Sequence, residues 1–406
     1  MTAGARPRNR KALLARAAAD LFAQRGYHAV AVGDIAAAAG ITAPALYRHF
    51  PSKQDLLGHV LLTGVDELAG RVSDAVAGLA DDPASRLRPV LDAAAGVSID
   101  QRQLTALWRW QGRHLGAADQ KELRGRVGAL LGHWLSGLHA LRPDLDRGQA
   151  QLLCFAALSV FGSVGDHRAC PRTGFAELLA DLGEAVVRAE LPEVTPRDDD
   201  WRTRVAPPPS RREELLTAAT RLFREHGFHA VSVEDIGAAT GIAGPSVYRH
   251  FAGKSDLLLA ASRRMADRLT LGLEDSLAAA ADPADALRRL ARSYVDTVLR
   301  SDDLIAVYTT ELANLPERDG RELRAMQRGY VAEWVRLLRA VAPDLDEPRA
   351  RVTVHAALTI VNDIPRTPRF SARPGLADEL AALASVVLAA GVGSAGAGPA
   401  GVGPAR

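Results

Sequence analysis

The strongest constraint on this chain is that it repeats itself. Residues 26–57 read GYHAVAVGDIAAAAGITAPALYRHFPSKQDLL and residues 227–258 read GFHAVSVEDIGAATGIAGPSVYRHFAGKSDLL; 20 of these 32 positions are identical at an offset of 201. The match continues more weakly at an offset of 200. Asp82-Pro83 answers Asp282-Pro283, Trp134 answers Trp334, and Pro143-Asp144-Leu145-Asp146 answers Pro343-Asp344-Leu345-Asp346. A period this long is a whole domain pair, beyond the roughly 20–50 residues of a solenoid repeat. Whatever one half folds into, the other must fold into as well.

The halves meet in LPEVTPRDDDWRTRVAPPPS, residues 191–210, whose five prolines and acidic run suit an exposed linker. From Gly391 the chain is GVGSAGAGPAGVGPAR, a low-complexity tail expected to be disordered. Its GVGSAG matches the dinucleotide fingerprint formally, but no strand pattern precedes it, so the match is set aside.

The periodicity predicts an all-α fold. Arg10 to Arg25 carries Leu13, Leu14, Ala17, Leu21 and Phe22 at helical spacing, and Gly26 stops it. Glu213 to Glu225 repeats the pattern. Long Ala/Leu/Arg-rich stretches follow in each half, broken by DP, RPD and PG signals as in a helical bundle.

Charge matters here by location. The sum is only +2, from 50 basic and 48 acidic residues. Between Arg6 and Lys53, however, eight Lys/Arg face two Asp/Glu, and between Arg202 and Lys254 eight face five. Two local basic regions on a near-neutral chain suit phosphate contact.

Residues 33–50 have the layout of a helix, a tight turn and a second helix. Asp34, Ile35, Ala38 and Ala39 form a short amphipathic helix, and Gly40 permits the left-handed turn. Ile41 fills the core under the turn, Thr42 is a candidate cap, and Pro44 is tolerated in the first turn that follows. Leu46 and Phe50, four apart, give the buried face. This is a helix-turn-helix, whose second helix enters the major groove.

The run from Asp34-Ile35 through Gly40-Ile41 and Leu46-Tyr47-Arg48-His49-Phe50 to Lys53 and Asp55-Leu56-Leu57 resembles the TetR/AcrR family of repressors. So does Asp235-Ile236 through Gly241-Ile242 and Val247-Tyr248-Arg249-His250-Phe251 to Lys254 and Asp256-Leu257-Leu258. The resemblance implies two tandem TetR-like units, each a three-helix DNA-binding domain followed by a helical ligand-binding and dimerisation domain. The expected boundaries are 1–57 and 58–190 for the first unit, 191–210 for the linker, 211–258 and 259–390 for the second unit, and 391–406 for the tail. The family acts as a homodimer of single units, so a chain with both implies a covalent pseudo-dimer. The alternative is that each half pairs with another chain, giving a homodimer with four DNA-binding units.

Carried over by position, Tyr47, His49 and Lys53, with Tyr248, His250 and Lys254, touch backbone phosphates. Base-edge contact falls to Thr42, Ala43, Pro44 and Ala45, and to Ala243, Gly244, Pro245 and Ser246. These are small and mostly apolar, which favours thymine-methyl contact and shape readout. Arg48 and Arg249 add a base or phosphate contact. Arg6, Arg8 and Arg10, and likewise Arg211 and Arg212, either reach the minor groove or are solvated tails. His28 and His229 are expected to pack near the helix turn. Because the two reading helices differ, the expected operator is an imperfect palindrome.

Downstream, LTALWRWQGRHL at 104–115 aligns with LIAVYTTELANL at 304–315. Trp108, Gln111 and His114, answered by Tyr308, Glu311 and Asn314, are candidate ligand-binding residues; an amphipathic core helix with a polar outer face is the other reading. The second segment, with Tyr330, Trp334, His355 and Asn362-Asp363 beyond it, resembles regulators of lipid or acyl-thioester metabolism, which implies an effector of that class. Helices over about 148–164 and 175–189, then 349–363 and 376–390, are candidates for the pairing surface.

Other classes find little support. There is no HExxH, credible phosphate loop, Cys/His cluster or nucleophile elbow, so no catalytic residue, metal or cofactor is expected. The apolar stretch Leu152 to Val164 is shorter than the ~20 residues of a membrane span, no signal peptide is evident, and two cysteines make no disulfide framework. A cytoplasmic location follows as an expectation. The remaining rival is a ligand- or partner-binding helical protein with one functional DNA-binding unit, acting as a higher oligomer.

Overall fold

The computed structural model describes residues 7–79, 82–169, 171, 173–193 and 210–393, with side chains at 7–9, 106, 110, 111 and 113 left aside. The described residues form helices and no strand. Most of the expected linker, the tail from residue 394, Arg6 and Cys170 lie outside them.

The first repeat runs α1 (Pro7–Arg25), α2 (Val32–Ala38), α3 (Ala43–Tyr47), α4 (Lys53–Val76), α5 (Pro83–Asp100), α6 (Arg102–Gln111), α7 (Ala117–Leu141), α8 (Arg147–Gly162) and α9 (Phe175–Val187). The second runs α10 (Arg211–His226), α11 (Val233–Ala239), α12 (Gly244–Val247), α13 (Lys254–Ala278), α14 (Pro283–Arg300), α15 (Asp302–Thr310), α16 (Glu317–Val341), α17 (Glu347–Asp363), α18 (Pro368–Ser371) and α19 (Leu376–Gly393). The order repeats element for element, with the short α18 added.

Two compact units emerge, and they do not part at the linker. One comprises residues 1–154 and 161–168, the other 155–160 and 169–406. In the first, α1, α2 and α3 close over Leu14, Phe22, Val30, Ile35, Leu46 and Phe50, all at most 4% exposed. Leu56, Leu57, Val60 and Leu61 of α4 complete this core and carry it towards α5, α6 and α7. In the second unit Leu215, Phe223, Ile236, Val247, Phe251, Leu257 and Leu258 repeat it. Leu13 departs from expectation. It is half exposed, and its counterpart Glu214 is half-buried and paired with Arg211.

The second unit also contains α9, the last helix of the first repeat. It packs on α17 and α19 through a face that buries Leu178, Leu179, Leu182 and Val186. Phe155, also in this unit, meets Phe370 edge-on at 5.3 Å between ring centroids, with the Arg369 guanidinium 5.4 Å over its ring.

The helical run Arg147–Asp166 is longer than its apolar centre suggested, and with Leu376–Gly393 it is long and apolar enough to cross a membrane. In the first, 61% of the apolar window is buried within the protein, and in the second 44%, as in the packing helices of a bundle. Burial also pushes the thiol of Cys154, on α8, up to about 12, which leaves it a protonated apolar packing group.

Candidate nucleic-acid interface

Both turns are built the same way. Gly40 and Gly241 have φ of 67° and 71°, the left-handed conformation that a side chain disfavours. The Ile41 amide donates to the Ala36 carbonyl and that of Ile242 to the Gly237 carbonyl, each at 2.9 Å, closing the preceding helix. Pro44 and Pro245 then open α3 and α12. Thr42 takes the cap position in extended backbone, but its hydroxyl caps nothing, contrary to the sequence expectation.

This geometry buries Leu46 and Val247 completely and turns the next residue outward. Tyr47 is 51% exposed and Tyr248 54%, two of the few large apolar side chains left in solvent. Arg48 and Arg249 are exposed beside them, with His49 and His250 half-buried. Thr42, Pro44, Ala243 and Pro245 are exposed; Ala43, Ala45 and Ser246 are half-buried, and Gly244 is buried. The face is therefore small and apolar at one end and aromatic and cationic at the other.

The lysines have internal partners that the sequence did not indicate. The Lys53 ammonium donates to the carbonyls of Tyr27 at 2.8 Å and Val30 at 2.9 Å. Lys254 donates to Phe228 at 2.9 Å and Val231 at 3.0 Å. Each also sits over an aromatic ring, Tyr27 or Phe228, at 4.3 and 4.5 Å. Desolvation lowers the pKa of both. The invariant place of these lysines in the repeat thus has an internal reason: they tie the α1–α2 and α10–α11 connections to the helix that follows the reading helix.

Arg211 and Arg212 are also committed internally. Arg211 pairs with Glu214 and donates to the Thr240 carbonyl at 2.9 Å. Arg212 donates to the His250 carbonyl and stacks 3.9 Å from the centre of the Phe251 ring.

The heads are joined to their regulatory helices by different chemistry. In the first, His114 at the end of α6 stacks on Tyr27 at 5.0 Å and meets His28 edge-on at 4.5 Å, while Gln54 donates to the His114 carbonyl at 2.8 Å. In the second, Arg264 grips Glu213 at 2.5 and 2.8 Å and holds its carboxyl below the usual range. Arg224 pairs with Asp303, whose carboxyl is nonetheless pushed up by burial and by the neighbouring Asp302. None of these ion pairs was legible in one repeat; setting the repeats side by side, Glu213 against Ala12 and Arg224 against Ala23, is the signal that marks them.

The six candidate ligand residues do not form one set. Trp108 packs against the first head's core, His114 belongs to the joint just described, and the Gln111 side chain lies outside the described residues. In the second unit Glu311, buried, accepts from Asn314 at 2.7 Å and from Thr310 at 3.4 Å. Tyr308 is buried, and desolvation followed by the nearby Tyr294 raises its phenol. Sequence reasoning missed Tyr294, which donates to the Asn362 side-chain oxygen at 2.9 Å and meets Trp334 edge-on at 5.9 Å. Trp334 is 1% exposed and also meets Tyr330 edge-on at 6.2 Å between ring centroids. No group of three or more His, Cys, Asp or Glu among the described residues could hold a metal ion.

Both repeats resemble known proteins in sequence. The family described as bacterial regulatory proteins, tetR family, matches residues 14–60 and again 215–261. The tetracyclin repressor-like C-terminal domain matches residues 280–366. The repressor KstR2 of Mycolicibacterium smegmatis is 30% identical over 148 residues, which cover 34% of this chain and 71% of that one. The activator FasR of the same organism is 31% identical over 120 residues, 30% of this chain and 54% of its own length. Among solved structures, the ketosteroid transcriptional regulator KstR2 of Mycobacterium tuberculosis aligns with a TM-score of 0.38 and 25% identity, over 46% of this chain and 95% of that one.

Proposed function

The chain belongs to the TetR family of bacterial regulatory proteins, as a DNA-binding transcriptional regulator rather than an enzyme, and from that premise we propose that one chain does what two subunits do elsewhere in the family. The two heads of the tandem repeat act as a covalent pseudo-dimer on an imperfect palindrome. The observation that carries this reading is the pair of exposed tyrosines, Tyr47 and Tyr248, each at the C-terminal end of a reading helix of the same chain. The packing of α9 on α17 and α19 supports it, because helices of both repeats share one compact unit.

In this reading residues 1–57 and 211–258 are the DNA-binding domains, and 58–190 and 259–390 the regulatory ones. Tyr47, His49, Tyr248 and His250 contact phosphates, and Lys53 and Lys254 do so with any N–H their carbonyls leave over. Thr42, Ala43, Pro44 and Ala45, and Ala243, Gly244, Pro245 and Ser246, meet base edges. Arg48 and Arg249 add a base or phosphate contact. Thr42 against Ala243 and Ala45 against Ser246 are the differences that make the two half-sites unlike. The mode of action is repression relieved by a small-molecule effector, of lipid or acyl-thioester class. Tyr308, Glu311 and Asn314 are its candidate contacts in the second regulatory domain, and Trp108, Gln111 and His114 in the first.

The test is the mass of the complex with DNA from upstream of its own gene, measured by light scattering on a sizing column. One chain per short operator is the expected result. Two chains per operator would overturn the pseudo-dimer and leave four heads per complex. Tyr47→Ala with Tyr248→Ala should abolish binding while the helical circular dichroism is unchanged; retained binding would overturn the site.

A further inference from the structure

The two heads differ in charge where α1 and α10 begin. We infer that Arg10 and Lys11 give the first head an additional phosphate-contacting edge that the second head lacks, so that the chain lies on its operator with a fixed polarity. The inference rests on the reading that both heads bind DNA.

Arg10 and Lys11 are exposed and have neither an ion-pair nor a hydrogen-bond partner among the described residues. Ala12 and Leu13 follow them, and the first turn of α1 contains no acidic residue. Arg16 and Arg25 further along the helix are likewise exposed and unpaired there. The matched positions of α10 are Arg211 and Arg212, followed by Glu213 and Glu214 in its first turn. Glu214 neutralises Arg211, and Arg212 is spent on the His250 carbonyl and the Phe251 ring. The backbone is helical in both; what differs is the side-chain charge and its partners.

The edge is continuous with the reading face. The Lys11 ammonium lies 5.7 Å from the Phe50 ring centre, and Phe50 closes the segment that exposes Tyr47 and Arg48. At physiological salt, charges act over roughly 8 Å, so an unneutralised pair here acts on the phosphates that flank the groove. A guanidinium already held by a carboxylate offers a phosphate little net attraction, since the partner's charge opposes it. The first half-site is therefore gripped over a longer stretch of backbone than the second, and exchanging the half-sites is not neutral.

The test uses the full chain and a short duplex of random sequence, titrated at stepped salt. Each phosphate contact contributes about 0.9 to the slope of log K against log salt. Arg10→Gln with Lys11→Gln should flatten the slope by about 2, whereas Arg211→Gln with Arg212→Gln should flatten it by less than about 1 and lower the melting temperature. Arg10→Lys should keep the slope of the unaltered chain, which separates charge from packing. Equal flattening by the two double variants, or none by the first, would overturn the inference. Failure of the unaltered chain to bind the duplex at low salt would instead overturn the DNA-binding reading on which it rests.

Discussion

The Lys53 ammonium lies 2.8 Å from the Tyr27 carbonyl oxygen, 26 residues earlier in the chain, and Lys254 holds Phe228 in the same way at 2.9 Å. A family-typical surface cation is thus a clasp inside each head. Hydrogen bonds to a charged group contribute about 1.5–3 kcal/mol each when buried, and somewhat less where the site is partly wet, as here. Lys53→Met should therefore lower unfolding free energy by about 1–3 kcal/mol, read as a reduced urea midpoint by circular dichroism. An unchanged midpoint would mean that water replaces the ammonium at no cost.

The second head is packed more tightly than the first at its turn. A Cβ on Gly237 would lie 2.8 Å from the Ile242 carbonyl oxygen and 3.2 Å from the Gly244 amide, both backbone atoms that cannot swing aside. The first head has Ala36 and Ala43 at these positions. Gly237→Ala should cost about 1–3 kcal/mol through overpacking, although alanine is the better helix former. A stabilised variant, measured by thermal melting, would contradict the close approach.

Capping also favours the second head. In α11 the Ser232 hydroxyl accepts from the Asp235 amide at 3.0 Å while Asp235 accepts from the Ser232 amide at 2.9 Å. In α2 only the second half of this exchange exists, Ala31 to Asp34 at 2.9 Å. Ala31 already has extended backbone, with φ of −83° and ψ of 154°. Ala31→Ser should stabilise the first head by about 0.5–2 kcal/mol. No rise in the melting temperature would show that the hydroxyl stays with water.

Asp285, in the first turn of α14, has its carboxyl lowered to about 2, chiefly by the Arg289 hydrogen bond, then by the Ala281 amide and Arg288. A depressed folded pKa gives stability that is present above the unfolded value near 3.9 and lost as pH falls through the folded one. Asp285→Asn should narrow the stability difference between pH 5 and pH 2, measured by urea unfolding at each. A variant that loses as much on acidification as the parent would assign the acid response elsewhere.

Much of each head was legible because its determinants are local. Gly40, Pro44, Leu46 and Phe50 fall within eleven residues, and spacing alone assigns turn, start and buried face. The helices at 147–162, 175–187, 347–363 and 376–393 also fall close to where apolar periodicity put them. What stayed hidden is long-range. The Lys53 carbonyl partners, the Arg264–Glu213 pair and the Tyr294–Asn362 bond join residues 23 to 68 positions apart, and no spacing encodes them. His114 illustrates the limit: spacing marked it as a candidate ligand residue, but could not show that its ring stacks on Tyr27.

The membership of α9 in the second unit has a consequence during synthesis. Its apolar face leaves the ribosome well before α17 and α19, and 159 residues must be added between Val187 and Glu347 before even α17 begins. At roughly 5–20 residues per second that is a wait of about ten to thirty seconds with Leu178, Leu182 and Val186 lacking those partners. In that interval the face is exposed to non-native association, and a chain ending after the first repeat would leave it without α17 and α19.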